Sequence, residues 1–162
     1  MITDQDGHIS SNSFIETELC TKIKNIGDHT ASDVVSLIAP MQHGIDDLMR
    51  DSIEEIKNKK PKVIVILETD GGSIEVVERI ADLLRYHYPQ EVSFLIPSHA
   101  MSAGTVLAMS GDNIYMDYFS ILGPIDPQVV SRSKGDVYVP ALGYLQKYED
   151  LLSKSKITQL QM

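Results

Sequence analysis

The sequence predicts an α/β fold in which a mainly parallel sheet is flanked by helices. Residues 63–67 (VIVIL) form an apolar run without alternation, which is typical of a strand buried on both faces. Residues 91–97 (EVSFLIP) indicate a second buried strand. Amphipathic segments alternate with these strands, and that order predicts right-handed βαβ units. A chain of 162 residues is expected to fold as one domain.

A polar arm, two helices and a strand are predicted ahead of the first buried strand. Residues 1–12 are expected to form a polar, mobile arm. Residues 33–41 (DVVSLIAPM) are short and β-branched, and predict a strand. Residues 45–60 predict an amphipathic helix with aspartates in its first turn and lysines at its end, as the helix dipole favours. Between the arm and the strand, apolar residues at roughly helical spacing predict a helix that Gly27 ends: Phe14, Ile15, Leu19, Ile23 and Ile26.

The later elements continue the alternation of strand and helix. Residues 13–162 are expected to form a single domain, and the apolar residues after position 155 suggest a chain that is cut short or packs on a partner. The predicted elements are helices at 74–88, 102–111 and 141–155, a strand at 113–116, a strand edge running into a Pro-rich loop at 120–128, and an exposed hairpin or flexible loop at 131–139.

Charge and cysteine content exclude some classes of function. The formal net charge is −9 and the pI is about 4.9, which argues against nonspecific binding of nucleic acid or of an anionic membrane. Cys20 is the only cysteine, so no intrachain disulfide can form, as fits a reducing compartment; we expect this thiol to be buried.

The sequence also lacks the features that are typical of membrane-spanning proteins, of signal peptides and of metal sites. No run reaches the roughly 18 apolar residues of a spanning helix, so no integral membrane segment is expected. The acidic, polar start MITDQDGHIS is unlike a signal peptide, which favours a cytoplasmic location. The histidines have no metal-ligand spacing, and neither a metal nor a cofactor is expected.

Two strand-to-helix junctions carry the residues that could do chemistry. Residues 70–73 read DGGS, and residues 98–104 read SHAMSAG. Glycine pairs can aim backbone N–H groups in one direction, and such groups can stabilise an oxyanion. Ser102 stands where the next helix begins. The alternative is that the first junction is an ordinary turn and the second a close-packed helix start capped by Ser102. From spacing alone, both interpretations stay open.

The joined segments resemble the Clp-fold serine peptidases, closest to the serine dehydrogenase proteinase (SDH-type) branch. The resemblance rests on VILETDGGSIEVVERIADLLR and VSFLIPSHAMSAGTVLAMSGDNIYMDYFSILGPIDPQ. It implies a Clp protease/crotonase-like ββα superhelix and a serine endopeptidase that acts on peptides or proteins, needs no cofactor and forms homo-oligomers. It implies Ser102 as nucleophile, Gly71 and Gly72 as the oxyanion turn, and the Ala103 amide as a second donor.

The general base is the least defined part of this expectation. The Clp subunit has a histidine just past the strand that here reads SILGPI, whereas this sequence has Ile125 and Asp126 there. Signal peptide peptidase A is a related enzyme with a Ser–Lys dyad, and a desolvated lysine can act as base. We expect Lys147 in this role, with Lys154, Lys156 or a residue beyond the chain end as alternatives. His99 is less suited, because it lies in the same turn as the nucleophile.

Two other functions are compatible with the same resemblance. One is a catalytically inactive Clp-fold scaffold that binds peptides or subunits. The other is a crotonase-like enzyme acting on acyl thioesters, which would use the oxyanion amides without needing Ser102.

Overall fold

A four-stranded parallel sheet forms the centre of the fold. The computed structural model describes residues 11–126, 128–131 and 137–140. Its elements are α1 (Ser11–Thr30), β1 (Asp33–Ile38), α2 (Ile45–Glu54), β2 (Lys62–Glu68), α3 (Ile74–His87), β3 (Glu91–Ile96), β4 (His99–Ala100), α4 (Ala103–Met109), β5 (Asn113–Met116), β6 (Ile121–Leu122), β7 (Gln128–Ser131) and β8 (Val137–Pro140).

The sheet has the strand order β1-β2-β3-β5, and every neighbouring pair is parallel. The register aligns Leu37 with Leu67, and Val65 with Phe94. Each of the first three strands leads into one helix before the chain returns to the next strand of the sheet. This arrangement confirms the predicted α/β class with a mainly parallel sheet flanked by helices.

The hydrophobic core lies between one face of the sheet and the helices. Alternate residues of β2 and β3 point into it and pack with apolar residues of α2, α3 and α4. The opposite face is only partly covered, since Ile64 and Ser93 are buried but Ile66 and Leu95 are half-buried. The core positions, each at most 3% exposed, include Val63, Val65, Leu67, Val92, Phe94, Ile96, Met49, Ile53, Val77, Ile80, Leu84 and Leu107.

Truncating Leu84 should destabilise the protein strongly. This side chain of α3 is fully buried, so Leu84→Ala leaves a cavity and should lower the free energy of unfolding by about 2–5 kcal/mol. Tyr86 lies two residues further on and is 82% exposed, so Tyr86→Ala should cost no more than about 0.5 kcal/mol. Urea denaturation of both variants measures the difference. Equal losses would show that α3 does not pack as described.

Two helices differ in length from the prediction. α1 does not end at Gly27 but continues to Thr30. Gly27 instead permits a close approach, because a Cβ there would lie 2.9 Å from the Ser32 carbonyl oxygen. The Lys60 ammonium donates to the carbonyls of both residues. α2 ends at Glu54, before the lysines, and Asn58 in the segment that follows has a left-handed φ of 55°.

The expectation that Cys20 is buried is wrong. Cys20 is exposed on α1. All side chains from 14 to 22 are exposed, and α1 contains half-buried or buried positions again only from Ile23 onward. The apolar spacing predicted the helix correctly, but spacing alone does not show how much of a helix meets the sheet.

Short strands complete the described part of the chain. β4 was not predicted; it pairs in parallel with β6, aligning His99 with Ile121. β7 and β8 form an antiparallel hairpin, which confirms the hairpin alternative predicted around 131–139. The described residues divide after Gly123 into two compact units, and the hairpin belongs to the second. The single domain at 13–162 stays a prediction, and the predicted helix at 141–155 lies outside the described residues. Of the arm predicted at 1–12, residues 1–10 also lie outside them, whereas residues 11 and 12 are part of α1.

The histidine at the end of α3 should make stability depend on pH. His87 Nδ1 lies 3.3 Å from Lys59 Nζ, so the neutral ring accepts a hydrogen bond from the ammonium. Burial, and then the charge of Lys59, hold the pKa of His87 below its ordinary value of 6.5. The unfolded chain therefore binds this proton more readily. The stabilisation that the neutral His87 ring contributes is therefore complete above about pH 6.5. It is lost as the pH falls through the lower pKa that His87 has in the folded protein.

This dependence can be measured on one variant. Between pH 7.5 and 5.5, the parent should lose unfolding free energy through His87, because the unfolded chain takes up this proton before the folded protein does. His87→Gln cannot titrate and should show a flatter profile in the same urea denaturation experiment. Identical profiles would contradict the assigned neutral state.

Candidate active site

Two chain segments meet beyond the carboxyl ends of β2 and β3. We call residues 70–73 the glycine turn and residues 98–102 the serine segment. Thr69, the residue before the turn, donates its N–H to the His99 carbonyl at 3.2 Å, and its own carbonyl accepts from the Met101 N–H at 2.9 Å. The two junctions singled out in the sequence are therefore brought together, as parallel strands with a common carboxyl edge require.

Ser102 adopts a backbone conformation that serine rarely takes. Its φ is 51° and its ψ is −119°, and only two other non-glycine residues of the described chain, Ala31 and Asn58, have positive φ. Such strain persists where the surroundings over-determine it, as in the sharp strand-to-helix turns that present a nucleophile. Ser102 occupies the N-cap position of α4, but its hydroxyl makes no capping hydrogen bond, so the alternative in which this side chain caps the helix is not supported.

The glycine turn lies directly against Ser102. Gly71 has a φ of 98°, and a Cβ built on it would lie 2.8 Å from Ser102 Cβ and 2.7 Å from the Met101 carbonyl oxygen. Gly72 has a φ of 145°, and a Cβ there would overlap the backbone of Met41. Both positions require glycine, for conformation and for space.

Several backbone groups of the glycine turn are hydrogen-bonded. The Gly71 carbonyl accepts from Met41 N–H at 2.8 Å, and Ser73 N–H donates to the Met41 carbonyl at 2.7 Å. Gly71 N–H donates to Thr69 Oγ1 at 3.0 Å. Within the described residues, the N–H groups of Gly72 and Ala103 have no hydrogen-bond partner. Of the two glycines, therefore, only Gly72 has a backbone N–H that is available to bind an oxyanion.

The small residues after Ser102 allow α4 to pack closely. A Cβ on Gly104 would overlap the Thr69 side chain. Thr105 Oγ1 contacts the Ala100 carbonyl at 2.7 Å and the Gly123 carbonyl at 3.0 Å, which ties α4 to β4. Ser102 itself is half-buried, so a closely packed helix start and a serine that is accessible to substrate are compatible at this junction.

His99 lies in the serine segment but has partners other than Ser102. Its Nε2 is 3.1 Å from Asp70 Oδ1, and its Nδ1 is 3.0 Å from Ser98 Oγ. Neither ring nitrogen is free to take a proton from Ser102 in this arrangement.

The predicted base falls outside the described part of the chain. Lys147 and its alternatives Lys154 and Lys156 are not among the described residues, so this assignment stays a prediction. Asp126 is described and exposed, but belongs to the unit that begins at residue 124. Thr69 and Met41 hold the glycine turn in place through hydrogen bonds and were not singled out from the sequence, whereas Asp70 was named only as part of the DGGS junction. The one signal available was the position of Thr69 and Asp70 directly between a buried strand and two glycines.

Comparison with known proteins adds an independent line of evidence. A family model described as ClpP-like SDH-type serine proteinase matches residues 44–147, more than half of the chain. The chain is 37% identical over 84 residues to the uncharacterized protein MJ0137 of Methanocaldococcus jannaschii, a match that covers 52% of the chain and 28% of that protein. The chain thus spans little more than a quarter of this curated relative.

Solved structures show the same fold. Two mutant structures of the 1510-N membrane-bound stomatin-specific protease, one in complex with a substrate peptide, match with TM-scores of 0.56 and identities of 20% and 21%. Each match covers 71% of this chain and 56% or 53% of the solved chain. In the described part of this chain, no helix is long and apolar enough to cross a membrane.

Proposed function

Because the chain belongs to the ClpP-like SDH-type serine proteinases, we propose that it hydrolyses peptide bonds with Ser102 as the nucleophile. One observation carries the proposal. Ser102 has a strained backbone and no hydrogen-bond partner for its hydroxyl among the described residues. The N–H of the next residue, Ala103, has no partner there, and the turn that carries the unpartnered Gly72 N–H lies against Ser102 through Gly71. These are the parts that acyl transfer needs: a nucleophile and donors for an oxyanion.

The reaction follows from these parts. Ser102 Oγ attacks the carbonyl carbon of the scissile bond while a base takes the hydroxyl proton. The negative charge that develops on the carbonyl oxygen accepts hydrogen bonds from the N–H groups of Gly72 and Ala103. A donor of this kind contributes roughly 10²–10³-fold to a rate. The carbon–nitrogen bond then breaks, and the leaving amine takes the proton from the base. Water attacks the acyl-enzyme and restores Ser102.

In this proposal, Gly71 contributes through its lack of a side chain and not through its N–H. Its N–H is engaged by Thr69 Oγ1, so it is not offered as a donor. Its missing side chain lets the turn approach Ser102 and leaves room for a substrate backbone. Thr69 stabilises the turn by accepting from Gly71.

We assign the base to Lys147, with Lys154 and Lys156 as alternatives. A lysine held away from water loses its proton more easily, because burial disfavours the charged form. A neutral amine within reach of Ser102 Oγ would complete a Ser–Lys dyad. We also propose a peptide or protein substrate, assembly into a homo-oligomer, and a cytoplasmic location, which the exposed, unpaired thiol of Cys20 favours.

The test is cleavage of a defined peptide library, with new termini identified by mass spectrometry. The proposal expects cleavage by the parent and at least about 10³-fold slower cleavage by Ser102→Ala. A short acyl thioester serves as the second substrate. Conversion of the thioester that survives Ser102→Ala, without any peptide cleavage, would overturn the proposal in favour of a crotonase-like enzyme. Absence of both activities in the parent would favour an inactive scaffold.

A further inference from the structure

The glycine turn is held very differently on its two sides. Toward β1, two backbone hydrogen bonds join it to Met41. Toward the serine segment, the backbone hydrogen bonds stop at Thr69, one residue before the turn. Beyond Thr69, the described residues contain one polar link from the turn to the serine segment, between the side chains of Asp70 and His99 at 3.1 Å.

The imidazole of His99 is oriented by both of its nitrogens. A carboxylate can only accept, so Nε2 carries the hydrogen that is donated to Asp70. In the neutral ring, Nδ1 then accepts from the Ser98 hydroxyl at 3.0 Å. The histidine side chain is 28% exposed and that of Asp70 is 92% exposed. The hydroxyl of Ser98 thus holds one side of the ring, and the other side contacts a carboxylate that has no other partner among the described residues.

We propose that Asp70 and His99 form a clamp that positions the glycine turn against Ser102. The inference rests on the proposed function. The two candidate oxyanion donors lie on different segments, Gly72 on the turn and Ala103 just after the serine segment. Both must point at one oxygen, so a shift of the turn relative to Ser102 would weaken the pair. His99 is accordingly a positioning residue. It acts through Asp70, which directly precedes the glycine pair in the sequence.

The clamp can be tested through the rate at which a fluorophosphonate labels Ser102. In that reaction Ser102 Oγ bonds to phosphorus, fluoride leaves, the base takes the proton, and the phosphoryl oxygen occupies the place of the oxyanion. His99→Leu and Asp70→Ala should each slow labelling about threefold to fivefold, the size expected for an exposed pair. The double variant should be no slower than either single variant, because one loss already breaks the clamp. His99→Gln keeps an N–H donor and should restore most of the rate.

Peptide cleavage gives a second readout that a merely structural role would not produce. The clamp predicts a lower kcat with little change in KM, because the oxyanion contact is made in the transition state. Thermal unfolding of each variant checks folding, and the exposed carboxylate of Asp70 makes its replacement the safer variant. Unchanged labelling rates in both single variants, or additive losses in the double variant, would overturn the clamp while the proposed function stands. A parent whose Ser102 is not labelled would overturn the proposed function and the clamp with it.

Discussion

Ser102→Ala is expected to lower the rate of peptide hydrolysis by at least about 10³-fold. The substitution removes the atom that would form the covalent bond, so no acyl-enzyme can arise. The residual rate would come from the oxyanion amides and substrate binding alone. Initial rates on a peptide that the parent cleaves measure the loss, and KM should change little.

A matched serine at the other end of α4 controls for the loss of a hydroxyl. Ser110 is the C-cap residue of α4, and its Oγ donates to the Leu107 carbonyl at 2.7 Å. Ser110→Ala should cost about 1 kcal/mol of stability and keep the activity within about twofold. Equal activity of parent and Ser102→Ala would reject Ser102 as the nucleophile.

Gly71→Ala is expected to lower the rate of peptide hydrolysis by about 10²-fold or more. The added Cβ would stand 2.8 Å from Ser102 Cβ and 2.7 Å from the Met101 carbonyl oxygen, so the turn and the nucleophile must move apart. A displacement of about 1 Å in a catalytic constellation costs roughly 10²-fold. Hydrolysis rates and fluorophosphonate labelling should fall together, since both need Ser102 in place.

Gly44 provides a control with the same backbone strain. Its φ is 97°, against 98° for Gly71, but a Cβ there would meet no atom within 4 Å. Both alanine variants should lose about 1–2 kcal/mol of stability from the left-handed conformation, yet Gly44→Ala should keep its activity. Similar activity losses in the two variants would show that stability, and not the contact with Ser102, explains the effect.

The architecture was predictable because its signals are local. The apolar run of β2 and the amphipathic stripe of α3 have clear periods, and the alternation of strand and helix restricts the topology. The structure confirms the parallel sheet, and the family model confirms the resemblance that the motifs indicated. The predicted end of α1 was wrong, because Gly27 is locally typical of a helix end, whereas its contact with Lys60 comes from tertiary packing.

The site was predictable in outline but not in its hydrogen bonds. Two junctions at the carboxyl ends of neighbouring parallel strands must lie close together, which made residues 71–72 and Ser102 a natural pair. β4 has two residues and no period to detect. The contact of Asp70 with His99 joins positions 29 apart, and the bond from Gly71 N–H to Thr69 Oγ1 depends on a side-chain rotamer. Such features follow from the assembled fold.

The most direct test of the account is intact-mass analysis after treatment with a fluorophosphonate, followed by peptide mapping. The account predicts one adduct, carried by Ser102 and absent from Ser102→Ala. No adduct on the parent, or an adduct that remains in Ser102→Ala, would contradict the assignment of Ser102 as an activated nucleophile.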